Sequence, residues 1–298
     1  MDRKTLIPFL AMPFLLLAVE LGSLLLSFPV QASGIKAFDD PASVANPVIF
    51  IVILLAFTGF LLLLIRYDLK KVIAAVIGIS IFFTFAYIFA ALVYAGTGYT
   101  DLATLIVLVL SVLATVLLYK YPEWYVIDVL GVLIGAGVAS IFGVSLDILP
   151  VLILLILLAV YDAISVYKTK HMITLAEGVI DLKTPILFVV PKKRDYSFIR
   201  DGIGKLADGG ERAAFIIGMG DMIMPSMLVV SANVFLNGWR LAGLINLPAL
   251  GAIIGSLAGM AVLLYFVNSG RPQAGLPPLN GGTILGFLAG WGLMMVVG

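Results

Sequence analysis

The sequence predicts an all-α, polytopic membrane protein of nine transmembrane helices, with the N-terminus in the cytoplasm and the C-terminus outside. Three observations carry that prediction. Hydrophobic residues fill 62% of the 298 positions and charged residues only 12%, against about half and about a quarter in soluble domains. Long, nearly charge-free runs recur along the whole chain, several near the ~20 residues that cross a bilayer as a helix. Nor does the chain show the ~10-residue alternating segments of a transmembrane barrel. The net charge of +1 and the lack of a basic face argue against a nucleic-acid partner. There is no cysteine and one histidine, His171. That excludes disulfides, thiol nucleophiles and cysteine- or histidine-rich metal sites, and disfavours a Ser-His relay.

The spans are expected at roughly 5–28, 46–65, 72–94, 101–119, 125–145, 148–168, 212–232, 240–267 and 280–297. The first starts with Arg3 and Lys4 and ends near Val30-Gln31-Ala32, features also found in a cleavable signal peptide. Its long apolar run and Glu20 suit a retained helix better. The only long hydrophilic stretch, 169–211, divides the chain into helices 1–6 (1–168), a cytoplasmic loop, and helices 7–9 (212–298). Inside the loop, Ile186-Leu187-Phe188-Val189-Val190 lies between Pro185 and Pro191 and is followed by Lys192-Lys193-Arg194. This run reads either as a hydrophobic stretch at the membrane interface or as a strand whose free edge can pair with an extended peptide. Gly251, Gly255 and Gly259 recur every four residues, as do Gly286 and Gly290, which marks close helix-packing faces.

Basic residues set the orientation. Of the 18 lysines and arginines, all but Lys36 and Arg240 fall on the side of the N-terminus and the 169–211 loop. The positive-inside rule places that side in the cytoplasm, and the asymmetry persists when the long loop is discounted.

Four carboxylates lie inside expected spans: Glu20, Asp128, Asp162 and Asp221. Each costs ~3 kcal/mol at a helix centre on insertion scales and calls for a reason. Asp128 lies close enough to its helix end to snorkel to the interface, and Glu20 reads as a packing or interfacial group. Asp162 and Asp221 differ. They fall on consecutive spans at depths of roughly 9 and 14 Å from the same cytoplasmic face. Facing each other, two such carboxyls can share one proton, because like charges a few ångströms apart cannot both ionise cheaply. A pair of that kind can activate a water and protonate a leaving nitrogen, the chemistry of aspartic proteases. Tyr161 precedes Asp162. Gly218 and Gly220 flank Met219 ahead of Asp221, where glycines allow close approach of backbone or substrate.

With Tyr161-Asp162 in the sixth span and Gly218-Met219-Gly220-Asp221 in the seventh, the sequence resembles the presenilin and signal peptide peptidase family of intramembrane aspartyl proteases over most of its length. The orientation resembles presenilins, whereas Pro225, in Gly-Asp-Met-Ile-Met-Pro, resembles signal peptide peptidases; a compact microbial (archaeal) homologue between the branches fits. The family's third motif, Pro-Ala-Leu, has two candidates. Pro248-Ala249-Leu250 matches the letters but opens the eighth span, whereas Pro277-Pro278-Leu279 lies just before the ninth, where the family uses it. Position outranks spelling, so Pro277, Pro278 and Leu279 are preferred, with Pro278 standing where the family has alanine.

The resemblance implies a presenilin-like fold and an aspartic endopeptidase that cleaves within transmembrane segments. Asp162 and Asp221 would be catalytic, supported by Tyr161, Gly218 and Gly220. Pro277–Leu279 and the 186–190 run would clamp an unwound substrate. No metal or organic cofactor is implied. The expected partners are transmembrane helices of substrate proteins and the lipid bilayer, a homo-oligomer is left open, and the expected location is the cell membrane. The competing reading is a transporter or channel that uses the same carboxylates as a proton or cation relay.

Overall fold

The computed structural model describes residues 3–169, 187–192, 195–202, 214–267 and 273–297. Six helices come first: α1 (Arg3–Ser33), α2 (Ala45–Arg66), α3 (Lys70–Thr97), α4 (Asp101–Lys120), α5 (Trp124–Ser145) and α6 (Ile148–Ile164). The last runs into a π-helical turn, Ser165–Thr169. Strand β1 (Leu187–Pro191) pairs antiparallel with β2 (Ala214–Gly218), with Leu187 opposite Gly218 and Pro191 opposite Ala214. Helix α7 (Met219–Phe235) follows β2 directly. The two-residue strands β3 (Arg240–Leu241) and β4 (Ile245–Asn246) make a tight hairpin before α8 (Leu247–Val267) and α9 (Leu276–Val297). Eight of these helices are long and apolar enough to cross a membrane, and α7 is a shorter apolar helix of 17 residues. The chain is a multi-pass membrane protein.

Two expected spans start later than their hydropathy suggests. The seventh is expected from 212, yet Ala214–Gly218 is a strand. A five-residue apolar run fits either period, and Phe215-Ile216-Ile217 favours the pleated surface offered by β1. The eighth is expected from 240. There the chain first turns through Ala242 (φ 51°) and Gly243 (φ 75°), and the helix starts at Leu247. The ninth starts earlier, at Leu276, with Pro277 and Pro278 in its first turn, where a missing N–H costs no helix bond. The molecule is therefore mostly helical rather than all-α, with two small antiparallel strand pairs among the described residues.

Helix α5 lies at the centre, and its small buried residues explain why. An added Cβ on Gly135 would lie 3.2 Å from Val19 of α1, and one on Gly143 would meet Val230 of α7. Both neighbours thus close onto α5. Helices α2 and α4 expose most of their apolar side chains and form the periphery. Helices α8 and α9 meet backbone to backbone. A Cβ on Gly251 would overlap the carbonyl oxygen of Gly286, one on Gly255 that of Gly282, and one on Gly259 that of Pro278. This is the expected glycine face, with Gly282 an additional member. At the opposite end of α7, Asn246 anchors the start of α8. Its side chain accepts the Ala249 N–H at 2.9 Å and donates to the carbonyls of Ala232 (2.7 Å) and Leu236 (2.9 Å).

Candidate active site

Asp162 stands in the last turn of α6 and is 7% exposed. Its Oδ2 accepts the backbone N–H of Leu276 at 3.0 Å, and the N–H of Gly275 faces the same carboxylate. Asp221 is the third residue of α7 and is only partly buried. It lies in the first helical turn, shallower than a 212–232 span implies, because the preceding residues are strand. The chain at Gly275 passes tightly against it. An added Cβ on that glycine would sit 2.7 Å from Asp221 Oδ2 and 3.3 Å from Oδ1. The two carboxylates therefore flank one peptide unit, Gly275–Leu276, and they interact electrostatically with each other.

Other sequence-predicted residues gather here to different degrees. Tyr161 is half-buried, and its carbonyl accepts the Ser165 hydroxyl at 2.7 Å, binding α6 to the π-helical turn. Gly218 ends β2 and is the N-cap of α7; its Cβ position is 3.5 Å from Asp221 Oδ2, while Gly220 is exposed with open space around it. Pro277 and Pro278 are half-buried and Leu279 fully buried in the first turn of α9. The alternative motif, Pro248-Ala249-Leu250, lies at the far end of the α8–α9 seam, since Gly290 packs on Leu247 and Pro248. At ~1.5 Å per residue that is roughly 20 Å along α9 from Pro277. Leu187, Phe188, Val189 and Val190 form β1, whereas Ile186 lies outside the described residues.

Several contributors carry no sequence signal. Tyr167, on the π-helical turn, donates its hydroxyl to Gln273 Oε1 at 2.9 Å and accepts the Ala274 N–H at 3.3 Å, pinning the segment that leads into Gly275. Asn280 donates to the carbonyl of Leu155 at 2.9 Å and ties α9 to α6. Gly275 itself lies two residues before Pro277 and belongs to no motif. Asp128 departs from its expected snorkelling. It is 8% exposed, and its Oδ1 accepts the Val189 N–H at 2.8 Å. Glu20 is fully buried in α1, facing Ser256 of α8.

Two hollows lie beside the site. A groove of about 290 Å³ between α6 and α9 is lined by Ala159, Val160, Ala163, Pro277, Asn280 and Gly281, among others. A cavity of about 390 Å³ shares Ala163 and Pro277 with it and extends to Tyr167, Phe266 and Gln273. Both linings are mainly apolar. Among the described residues no three His, Cys, Asp or Glu side chains gather to hold a metal ion.

Comparisons with known proteins show the family of the chain. The family model described as "Signal-peptide peptidase, presenilin aspartyl protease" matches residues 13–296. A solved presenilin family intramembrane aspartate protease, in a C222 crystal, is 53% identical. The match covers 96% of this chain and 99% of that one, with a TM-score of 0.71. The same description in a P2 crystal gives 54% identity, coverage of 96% and 98%, and a TM-score of 0.70. No curated protein sequence matches the chain. A match running almost end to end, at identities above one half, leaves one conclusion: the chain belongs to the signal-peptide peptidase and presenilin family of aspartyl proteases and is an intramembrane-cleaving aspartic endopeptidase.

Proposed function

We propose that Asp162 and Asp221 are the catalytic pair and that the enzyme hydrolyses peptide bonds within transmembrane segments of other membrane proteins. The observation that carries this is the Gly275–Leu276 peptide flanked by both carboxylates, with the Leu276 N–H bonded to Asp162 and the Gly275 Cα against Asp221. One carboxylate takes a proton from water, and the resulting hydroxide attacks the scissile carbonyl carbon. The other carboxyl gives its proton to the amide nitrogen as the C–N bond breaks. Tyr161, Gly218 and Gly220 support the pair by holding its backbone close and leaving room at the α7 start.

A substrate helix must unwind first, because a helical peptide bond is shielded by its own turns. Pro277, Pro278 and Leu279 line one side of its path, and the β1–β2 hairpin offers the other. Val189 directs its N–H to Asp128, so by ladder alternation Phe188 and Val190 bond to β2, while Leu187, Val189 and Pro191 face away. That outer edge of β1 has no free donor at Val189 and none at Pro191. The open edge expected of the 186–190 run therefore passes to β2. Its outward positions, Ala214, Ile216 and Gly218, lead directly to Asp221, and an extended peptide added there is delivered to the carboxylates.

In this reading α7 completes nine spans. The N-terminus and the 169–211 loop between helices 1–6 (1–168) and helices 7–9 (212–298) are cytoplasmic, the C-terminus is outside, and the protein resides in the cell membrane. The basic-residue asymmetry supports that orientation, and the shallow position of Asp221 supports water entry from the cytoplasm. Nothing among the described residues favours an ion-relay role over hydrolysis. The test uses purified protein in detergent with a single-span substrate beside Asp162→Asn and Asp221→Asn. Cleavage by the parent, lost in both variants and blocked by a transition-state analogue of aspartic proteases, is expected; cleavage surviving both substitutions overturns the assignment.

A further inference from the structure

The substrate-side hairpin is held from below by a carboxylate that the chemistry does not use. Asp128 lies on the second turn of α5, buried, with Oδ1 2.8 Å from the Val189 nitrogen. Five residues earlier, Glu123 accepts the Ser197 hydroxyl at 2.7 Å and the Phe198 N–H at 3.0 Å. One turn further in, a Cβ on Gly131 would lie 3.0 Å from the Phe188 ring and 2.9 Å from Met219. The cytoplasmic end of α5 thus grips β1 at its middle N–H, at its buried ring and at the segment that follows it. Tyr196, in that segment, donates its hydroxyl to the Gly202 carbonyl at 2.8 Å. Burial, followed by the Asp201 and Glu123 carboxylates, pushes this phenol up to about 12, so it stays a donor at neutral pH.

The choice of a carboxylate at 128 has a steric and electronic logic. Val189 is buried against α5, so without an acceptor its N–H would be left unpaired away from water. An apolar side chain at 128 would leave it so, and β1, together with the β2 strand paired to it, would shift to find another acceptor. Only the β2 edge runs into Asp221. We propose that Asp128 is a positioning residue that fixes β1, and through it β2, so that an unwound substrate is admitted in one register, along β2. This rests on the assignment of the β2 edge as the substrate path. It does not require Asp128 to touch substrate.

What the position needs is a hydrogen-bond acceptor rather than a charge, which separates this role from a purely electrostatic one. Asp128→Asn keeps an acceptor oxygen at the same reach, whereas Asp128→Ala removes it. The expected outcome for Asp128→Ala is about a tenfold rise in KM, the worth of one well-made hydrogen bond. In mass spectra of the products its cuts spread over neighbouring bonds, while kcat at the main bond changes little. Asp128→Asn restores both KM and the single cut. If Asp128→Asn behaves like Asp128→Ala, or if Asp128→Ala keeps the parent KM and cut position, the proposal is overturned.

A capture experiment reads the same point without catalysis. The chain has no cysteine, so Ile216→Cys in an Asp221→Asn background can be paired by disulfide with cysteines walked along a substrate span. With Asp128 intact, capture is expected at one substrate position, and Asp128→Asn should keep that position. With Asp128→Ala, capture is expected at several positions. No capture with Asp128 intact sinks the β2-edge reading and this proposal with it. An unchanged single register in Asp128→Ala sinks this proposal alone.

Discussion

Gly275 is the residue on which both aspartates depend, and its importance is steric. Its missing Cβ leaves room for Asp221, and the next N–H binds Asp162. Gly275→Ala is expected to push the Asp221 carboxylate aside and lower kcat by about a hundredfold, the scale of a ~1 Å misplacement. The thermal melt should stay near that of the parent, and a variant that cleaves at parental rates would show that the close approach is dispensable. Tyr167→Phe removes one hydroxyl that serves both Gln273 and Ala274. Its kcat should fall about tenfold, for a loss of ~1.4 kcal/mol. The two aspartates are legible from sequence because charge inside a span is costly and therefore conspicuous. Gly275 and Tyr167 are not, because a glycine shortly before a proline and a tyrosine after a helix are common, and only the folded contact gives them meaning.

The elements divide in the same way. Long apolar helices announce themselves through hydropathy, and the α1–α6 boundaries agree to within a few residues apart from the longer α1 and α3. The strand β2 does not, since Phe215-Ile216-Ile217 continues the apolar run of α7 and only its partner β1 decides between strand and helix. Asp128 misleads for a related reason: its partner, the Val189 N–H, is 61 residues away in sequence. The α8–α9 seam is readable from four-residue glycine spacing, and it supports a stability prediction. At Gly255 a side chain would strike the Gly282 carbonyl, which is backbone and cannot swing away. Gly255→Leu should cost about 3 kcal/mol and lower Tm by roughly 6–12 °C, followed by thermal unfolding in detergent. By contrast Gly281, around which space is open, should accept alanine without a measurable shift in Tm.

Across the whole molecule, the predicted orientation can be read directly because the chain lacks cysteine. A single cysteine at exposed Asp39, between α1 and α2, should react with a membrane-impermeant maleimide in intact cells. One at exposed Lys120, after α4, should react only once the cells are opened, and the reverse pattern would invert the topology. The glycine seam also sets how firmly the last two helices are joined. Two helices that touch through backbone have no flexible side chains between them, so α8 and α9 pack as a single plank. Helix α6 is joined to that plank by far less, chiefly the Asn280–Leu155 and Leu276–Asp162 hydrogen bonds, across an apolar groove. The two carboxylates therefore keep the Gly275–Leu276 peptide between them only as long as α6 stays against this plank, because Asp162 comes from α6 and its N–H partner from the start of α9.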